Sequence, residues 1–416
     1  MPDPRQYFLA LLLAIPAHAQ TDDARALKQF HQACIDDKTP LWGVNLWGRL
    51  ILVDPSTRSA IATYPDPDGK FSQRDSLFYG TLPSQFTPSN TSIDWGGHQW
   101  AMVRLPLPLS RFTRIRLLAH ESFHRLQKEL NLSAPDQKNA HLDTETGRLW
   151  LRLELRALAR ALRTNGEESR EAVQDAMAFR AARHKLFPDA KPQEAALEIQ
   201  EGLPEYTGTV LALKNAGESI VRVARATEDL EDQQSFPRSF AYATGPALGL
   251  LLDRFQPAWR KSVTRDSDLA AMLSTAVGRR RDDSPYPYGD KSVASDEHER
   301  EARHQKQLTQ FRATFLDGPT LQFPKTEELY RTFDPYNLVS LGEHGTVYPT
   351  GTFTSRWGKL RVEDVGALMS PDNQSLRVVA PKDAASRTGP GWKLELAPGW
   401  TIRRAIHPGD FEVIQP

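Results

Sequence analysis

Residues 110–130 read Ser-Arg-Phe-Thr-Arg-Ile-Arg-Leu-Leu-Ala-His-Glu-Ser-Phe-His-Arg-Leu-Gln-Lys-Glu-Leu. Phe112, Ile115, Leu118, Phe123, Leu126 and Leu130 recur at helical spacing, with Arg111, Arg114, Arg116, Arg125 and Lys128 between them. The pattern predicts an amphipathic helix over about 111–131, with Ser110 as its N-cap. Inside it stands His120-Glu121-Ser122-Phe123-His124. Residues four apart stack on one helical face, so both imidazoles can reach one ion, while Glu121 is offset and can meet a water beside it. Ala119 and Ser122 leave little bulk near the histidines. A surface helix with two solvated histidines needs no apolar residues on both flanks, so the setting points to a metal site with a carboxylate base.

Working outward, Gln99-Trp100-Ala101-Met102-Val103-Arg104-Leu105 reads as a strand that ends shortly before this helix. Upstream, residues 47–53 and 59–64 flank the turn-rich Asp54-Pro55-Ser56-Thr57-Arg58 and predict a hairpin. Downstream, residues 147–163, 167–185, 193–213 and 241–255 carry helical periodicity. Residues 278–306 are charged and interrupted by Pro285 and Pro287, with a helix expected near Glu299, Arg300, Glu301 and Arg303, so 278–335 reads as a charged linker and helix. From residue 336 to 416 the pattern changes to short strand-like runs such as Leu376-Arg377-Val378-Val379 and Trp392-Lys393-Leu394-Glu395-Leu396, a small β-rich domain. The fold class expected is α+β.

The N-terminus has its own character. Arg5 precedes an apolar run over residues 7–15, then Pro16 and Ala17-His18-Ala19, the marks of a secretory signal peptide over 1–19, cleaved after Ala19. The run is too short to span a bilayer. A secreted or periplasmic protein without stable membrane insertion is expected. Export favours disulfides, yet Cys34 is the sole cysteine, so the fold must rest on its core and Cys34 reads as a small buried residue. Lys plus Arg number 52 and Asp plus Glu 52, so no global field favours a nucleic-acid partner.

A catalytic zinc commonly takes three protein ligands. A third histidine ten residues after the first is excluded, since position 130 is Leu. Glu198-Ile199-Gln200-Glu201-Gly202-Leu203-Pro204-Glu205-Tyr206 offers carboxylates instead: on an α-helix Glu198, Glu201 and Glu205 share a face, and such clustering asks for a cation opposite. His141, Asp143 and Glu145 are weaker ligand candidates. His98, next to Gly96-Gly97, is a weak candidate for substrate contact.

With these motifs the chain resembles the gluzincin metallopeptidases, and in its Tyr242-Ala243-Thr244-Gly245 segment the aminopeptidase and glycyl-aminopeptidase branch, with a long insert between His124 and Glu201. The resemblance spans roughly residues 95–255. It implies a thermolysin-like zincin domain over 20–277, a mixed sheet plus a mostly helical half, followed by the β-rich domain. It implies one Zn2+ held by His120, His124 and Glu201, with Glu121 as general base and Glu205 as the carboxylate that orients a ligand histidine. Tyr206 would be a packing tyrosine and Tyr242 the hydroxyl that stabilises the oxyanion. Pro204 predicts a kink or a fresh helix start. The Gly-x-Met-x-Asn exopeptidase strand is missing, so aminopeptidase specificity does not carry over. The function implied is hydrolysis of peptide bonds in a peptide or protein substrate. Two other readings share the ligand set: a zinc-binding protein of the same fold that does not cut, and a zinc hydrolase of a cell-wall amide or an ester. Endo- or exo-cleavage and oligomeric state stay open at this point.

Overall fold

Helix α1 (Ala17–Asp36) carries Cys34 on its buried side, as expected of a small core residue, and burial pushes the thiol up to about 12. Next come β1 (Leu50–Val53) and β2 (Ser59–Ala62), joined by the expected turn. Asp54 builds that turn by accepting from the Ser56 and Thr57 amides at 2.7 and 2.9 Å. Strands β3 (Ser72–Arg74), β4 (Leu77–Thr81), β5 (Thr91–Trp95) and β6 (His98–Arg104) complete a six-stranded sheet in the order β3-β4-β2-β1-β6-β5. Gly96 and Gly97, at φ 62° and 74°, supply the two positive φ angles that a tight β5–β6 hairpin demands. The sheet is mixed, because β1 pairs parallel with β6 and every other pairing is antiparallel. Strand β6 is therefore interior. The outer strand next to it is β5, whose far edge pairs with no strand among the described residues.

Helix α2 (Arg111–Gln127) packs on β5 and β6, and it buries Ile115, Leu118, Ala119, Phe123 and Leu126. Ser110 stands at its N-cap in extended conformation, but its hydroxyl makes no capping bond. The helix ends at Gln127, short of the expected 131, and the chain then turns through Asn131 at φ 55°.

Further along the chain come α3 (Glu145–Arg163), α4 (Gly166–Leu186) and α5 (Ala190–Leu197). The helix expected over 193–213 is interrupted: α5 passes into a π-helical turn, Glu198–Gly202, and then into α6 (Leu203–Ala212). Pro204 is the cause. It lacks the N–H that would bond Gln200 one turn back, and its ring crowds that turn. Widening the backbone, so that the Leu203 amide bonds to the Glu198 carbonyl, relieves the crowding. Helices α7 (Ala216–Asp229), α8 (Ala241–Phe255), α9 (Leu269–Val277) and α10 (Asp290–Arg312) follow.

Among the described residues, twelve strands from Thr320 to Ile414 form an all-β region of two sheets, one of seven strands and one of five. Their inner faces share an apolar core that includes Tyr348, Phe353, Trp357, Leu360, Val378 and Trp392. The region begins earlier than residue 336, because the strands Thr320–Gln322 and Tyr330–Phe333 join these sheets. The fold is thus α+β, with mixed sheets and a C-terminal all-β part.

The computed structural model describes residues 17–38, 40–213, 215–233, 235–278, 287–326, 328–334 and 337–416. Residues 1–16 of the expected signal peptide and 279–286 of the expected linker lie outside them. Among the described residues no helix is long and apolar enough to cross a membrane. By backbone contacts the chain forms two units, Met1–Lys128 with Thr207–Leu213, and Glu129–Tyr206 with Lys214–Pro416.

Candidate metal centre

Helical spacing sets the first two donors. His120 and His124 project from the same face of α2, and their Nε2 atoms lie 3.1 Å apart. On the other side of the His124 ring, Nδ1 is 2.6 Å from the Gln127 amide oxygen. That oxygen can only accept, so Nδ1 carries the proton and Nε2 presents a lone pair. Gln127 is buried, one turn after His124, and is a partner that the motif alone did not single out.

Glycine brings the second helix close. A Cβ on Gly208 of α6 would stand 2.5 Å from the Arg116 carbonyl of α2, so only glycine permits this approach. Beside it the Trp42 indole donates to the Thr207 hydroxyl at 2.8 Å. One to two turns from this contact along α2 lie His120 and His124. A similar step back from Gly208 leads to Glu201 in the π turn. The donor atoms of His120, His124 and Glu201 all lie within 4.8 Å of one another. Two imidazoles and a carboxylate form a donor set suited to a divalent ion, and the 3.1 Å between the imidazole nitrogens is near the edge of about 3.3 Å that a tetrahedral ion with 2.0–2.1 Å bonds requires. The group could hold a metal ion.

Glu201 has a fixed orientation. The Tyr242 hydroxyl, from the first turn of α8, donates to Glu201 Oε2 at 2.9 Å. Arg238, four residues before Tyr242, pairs with Asp136 at 2.5 Å. Burial by itself would lower the Arg238 guanidinium, but Asp136 and the nearby Glu201 and Tyr242 hold it above the usual arginine value. Glu121 is buried beside His120 at 5% exposure.

Glu198 does not join the metal group. Arg180 donates to both of its oxygens, at 2.9 and 2.6 Å, and the Thr244 hydroxyl donates at 2.7 Å. The expectation of three carboxylates on one face rested on α-helical spacing. The π turn widens the backbone between Glu198 and Glu201 and swings the two side chains apart. The cation that faces Glu198 is an arginine. Arg180 and Arg183 together serve Glu154, Glu194 and Glu198 in a buried network. Although burial opposes its charge, the Arg180 guanidinium is held well above its ordinary value by Glu154 and Glu198.

Other candidates separate from the centre. His141 bonds Glu194 at 2.7 Å, Asp143 accepts from Ser235 at 3.2 Å, and Glu145 lies 3.3 Å from His298. None belongs to the group of three donors. His98 sits exposed at the β5–β6 hairpin and is likewise outside the group. Glu205 is buried one turn beyond Glu201. Tyr206 is fully buried: its ring packs on Gly249, and its hydroxyl donates to Asp253 at 2.6 Å.

Comparison of the chain with family models, with curated proteins and with solved structures finds no match. The functional reading therefore rests on the residues and their geometry.

Proposed function

We propose that this chain is an exported zinc metallopeptidase of gluzincin type, with a thermolysin-like zincin arrangement of its sheet and helices. The single observation that carries the reading is the convergence of His120, His124 and Glu201 donor atoms within 4.8 Å, with Glu121 next to His120 in the same buried turn. One Zn2+ would be held by these three donors. When bound, it supplies Lewis acidity, drawing charge from a scissile carbonyl and bringing the pKa of water down to about 7.

The remaining steps belong to the chain itself. The Glu121 carboxylate takes a proton from the attacking water and delivers it to the departing amine nitrogen. Gln127 holds His124 in the tautomer that leaves Nε2 available. Glu205 is assigned the carboxylate that orients a ligand histidine. Tyr242 has one proton to donate, and its bond to Glu201 uses it. Tyr242 orients Glu201 and, once turned from that carboxylate, offers the proton to the oxyanion of the substrate.

Extended substrate would pair with β5 rather than with the strand that leads into α2. Both edges of β6 are occupied, by β1 and β5, whereas the outer edge of β5 pairs with no strand among the described residues and lies next to the strand on which α2 packs. Main-chain pairing there favours a peptide over a sugar or a lipid.

The test is metal analysis of the purified protein together with cleavage of a quenched peptide library, using blocked and free-amine peptides. One zinc per chain, peptide hydrolysis, and a Glu121→Gln variant that retains the zinc but loses at least about 10³-fold in kcat are expected. Retained turnover in a zinc-replete Glu121→Gln variant would rule the mechanism out.

A further inference from the structure

Glu198, Glu201 and Gly202 of the π turn each meet a residue at the start of α8. Glu201 accepts from the Tyr242 hydroxyl at 2.9 Å. Glu198, three residues earlier, accepts from the Thr244 hydroxyl at 2.7 Å. Gly202 and Gly245 meet backbone to backbone: a Cβ on Gly245 would lie 2.2 Å from the Gly202 Cα. The Glu198 carboxylate is itself immobile, because Arg180 grips both its oxygens, and Glu154 holds Arg180 at 2.7 Å. Glu154, Glu198 and Thr244 are all fully buried.

This arrangement has a consequence for a ligand on a π turn. Such a turn is wider than an α-turn and its hydrogen-bond geometry is irregular, so the direction of its side chains depends on what grips the turn from outside. A carboxylate that must meet two imidazoles at a fixed distance needs that direction defined. We infer that Thr244 is a positioning residue that, through Glu198 and the Arg180 clamp, locks the π turn so that Glu201 faces His120 and His124. The inference rests on the metal reading above and deepens it by naming what sets the third ligand in place.

The experiment measures zinc affinity of the full-length protein by competition with a chromophoric chelator, alongside thermal unfolding of the metal-free form. Thr244→Val removes the hydroxyl at nearly constant volume, Thr244→Ser retains it, and His120→Ala serves as the control that removes a ligand. Loss of a direct outer partner of a metal ligand weakens metal binding by about 10–100-fold, and Thr244 acts one contact further out, through Glu198, so the lower end of that range applies. Thr244→Val is expected to bind zinc on the order of tenfold more weakly than the wild type, with Thr244→Ser within about twofold of it. A bond with a merely structural role would lower the unfolding temperature and leave the affinity of the folded protein unchanged. Folded Thr244→Val with wild-type affinity therefore overturns the inference. If Thr244→Val does not fold, Thr244→Ala is read against Thr244→Ser in the same way, and failure of both to fold overturns it, since a role in folding would then account for the bond. The parent reading fails separately, and is recognised by a wild type that binds no zinc or binds it as tightly as His120→Ala does.

Discussion

The Tyr242 hydroxyl donates to Glu201 Oε2 at 2.9 Å, so a residue from α8 governs a carboxylate on the π turn. A ligand carboxylate bound in this way loses rotational freedom before any ion arrives, and that pre-organisation is worth affinity. Tyr242→Phe keeps the ring and removes only the donor. It is expected to release zinc more readily, with affinity down by about tenfold in a chelator competition. Wild-type affinity in that variant would break the assignment of Tyr242 to Glu201.

Gln127 makes the corresponding prediction for His124. Its amide oxygen, 2.6 Å from Nδ1, fixes the tautomer that leaves Nε2 free of a proton. Gln127→Leu leaves Nδ1 buried without this acceptor and is expected to weaken zinc binding by about 10–100-fold. Gln127→Glu supplies a stronger acceptor and should bind at least as tightly as the wild type. Equal affinity in Gln127→Leu and wild type, by the same competition, would show that the contact does not control the ligand.

Much of this was legible in the residues, and where it was not the reason is physical. The α2 helix followed from local periodicity, which needs no knowledge of distant contacts. His120 and His124 followed from helical spacing alone. Glu201 was reached by resemblance, since residue types and spacing offered Glu198, Glu201 and Glu205 alike. What separates Glu198 from Glu201 is the π turn forced near Pro204 and an arginine from α4, and neither is encoded in α-helical spacing. Strand β6 was legible as a strand, but its interior place in the sheet was not, because local alternation does not reveal its parallel partner β1, some fifty residues earlier. Gln127 carried a signal that could have been used: an amide side chain three residues after His124, one helical turn on, where it can reach the ring. The early start of the β region was hidden for a different reason, since three- and four-residue strands such as Thr320–Gln322 and Tyr330–Phe333 show too few alternations to stand out from a linker.

A pH dependence follows from Asp143. Burial pushes its carboxyl up to about 6, with the Ser235 hydroxyl and the nearby Arg148 and Arg300 holding it back only in part. A carboxyl raised above its unfolded value of 3.8 binds its proton more tightly in the folded chain. Its contribution to stability is therefore complete below about pH 4 and is lost as pH rises through 6. Asp143→Asn cannot ionise and still offers an amide oxygen to Ser235. Thermal unfolding should find the variant gaining on the wild type between pH 4 and pH 7, by a few degrees for each ~1 kcal/mol recovered. A gap between the two that does not change with pH would contradict the raised value.

The Gly202–Gly245 contact predicts an asymmetry between two equivalent-looking substitutions. A Cβ on Gly245 would meet the Gly202 Cα, carbonyl carbon and oxygen at 2.2, 2.7 and 2.8 Å, all of them backbone atoms that cannot rotate away. A Cβ on Gly202 would meet the Gly245 Cα at 2.9 Å and the Ala241 carbonyl at 3.2 Å, a much milder overlap. Alanine also favours a helical backbone over glycine by about 1 kcal/mol, which works in favour of both variants. For Gly202→Ala the backbone must still shift, since 2.9 Å to a backbone Cα is closer than a Cβ tolerates, and after the helical gain a loss smaller than that of Gly245→Ala is expected. For Gly245→Ala the segments must part, an overpacking cost of about 1–3 kcal/mol or more that exceeds the helical gain. Parting them also draws Tyr242 from Glu201, so Gly245→Ala should lose zinc affinity together with stability, as urea unfolding and chelator competition on the same samples would record. Equal effects of the two substitutions would mean that the two segments are not held at the distance described.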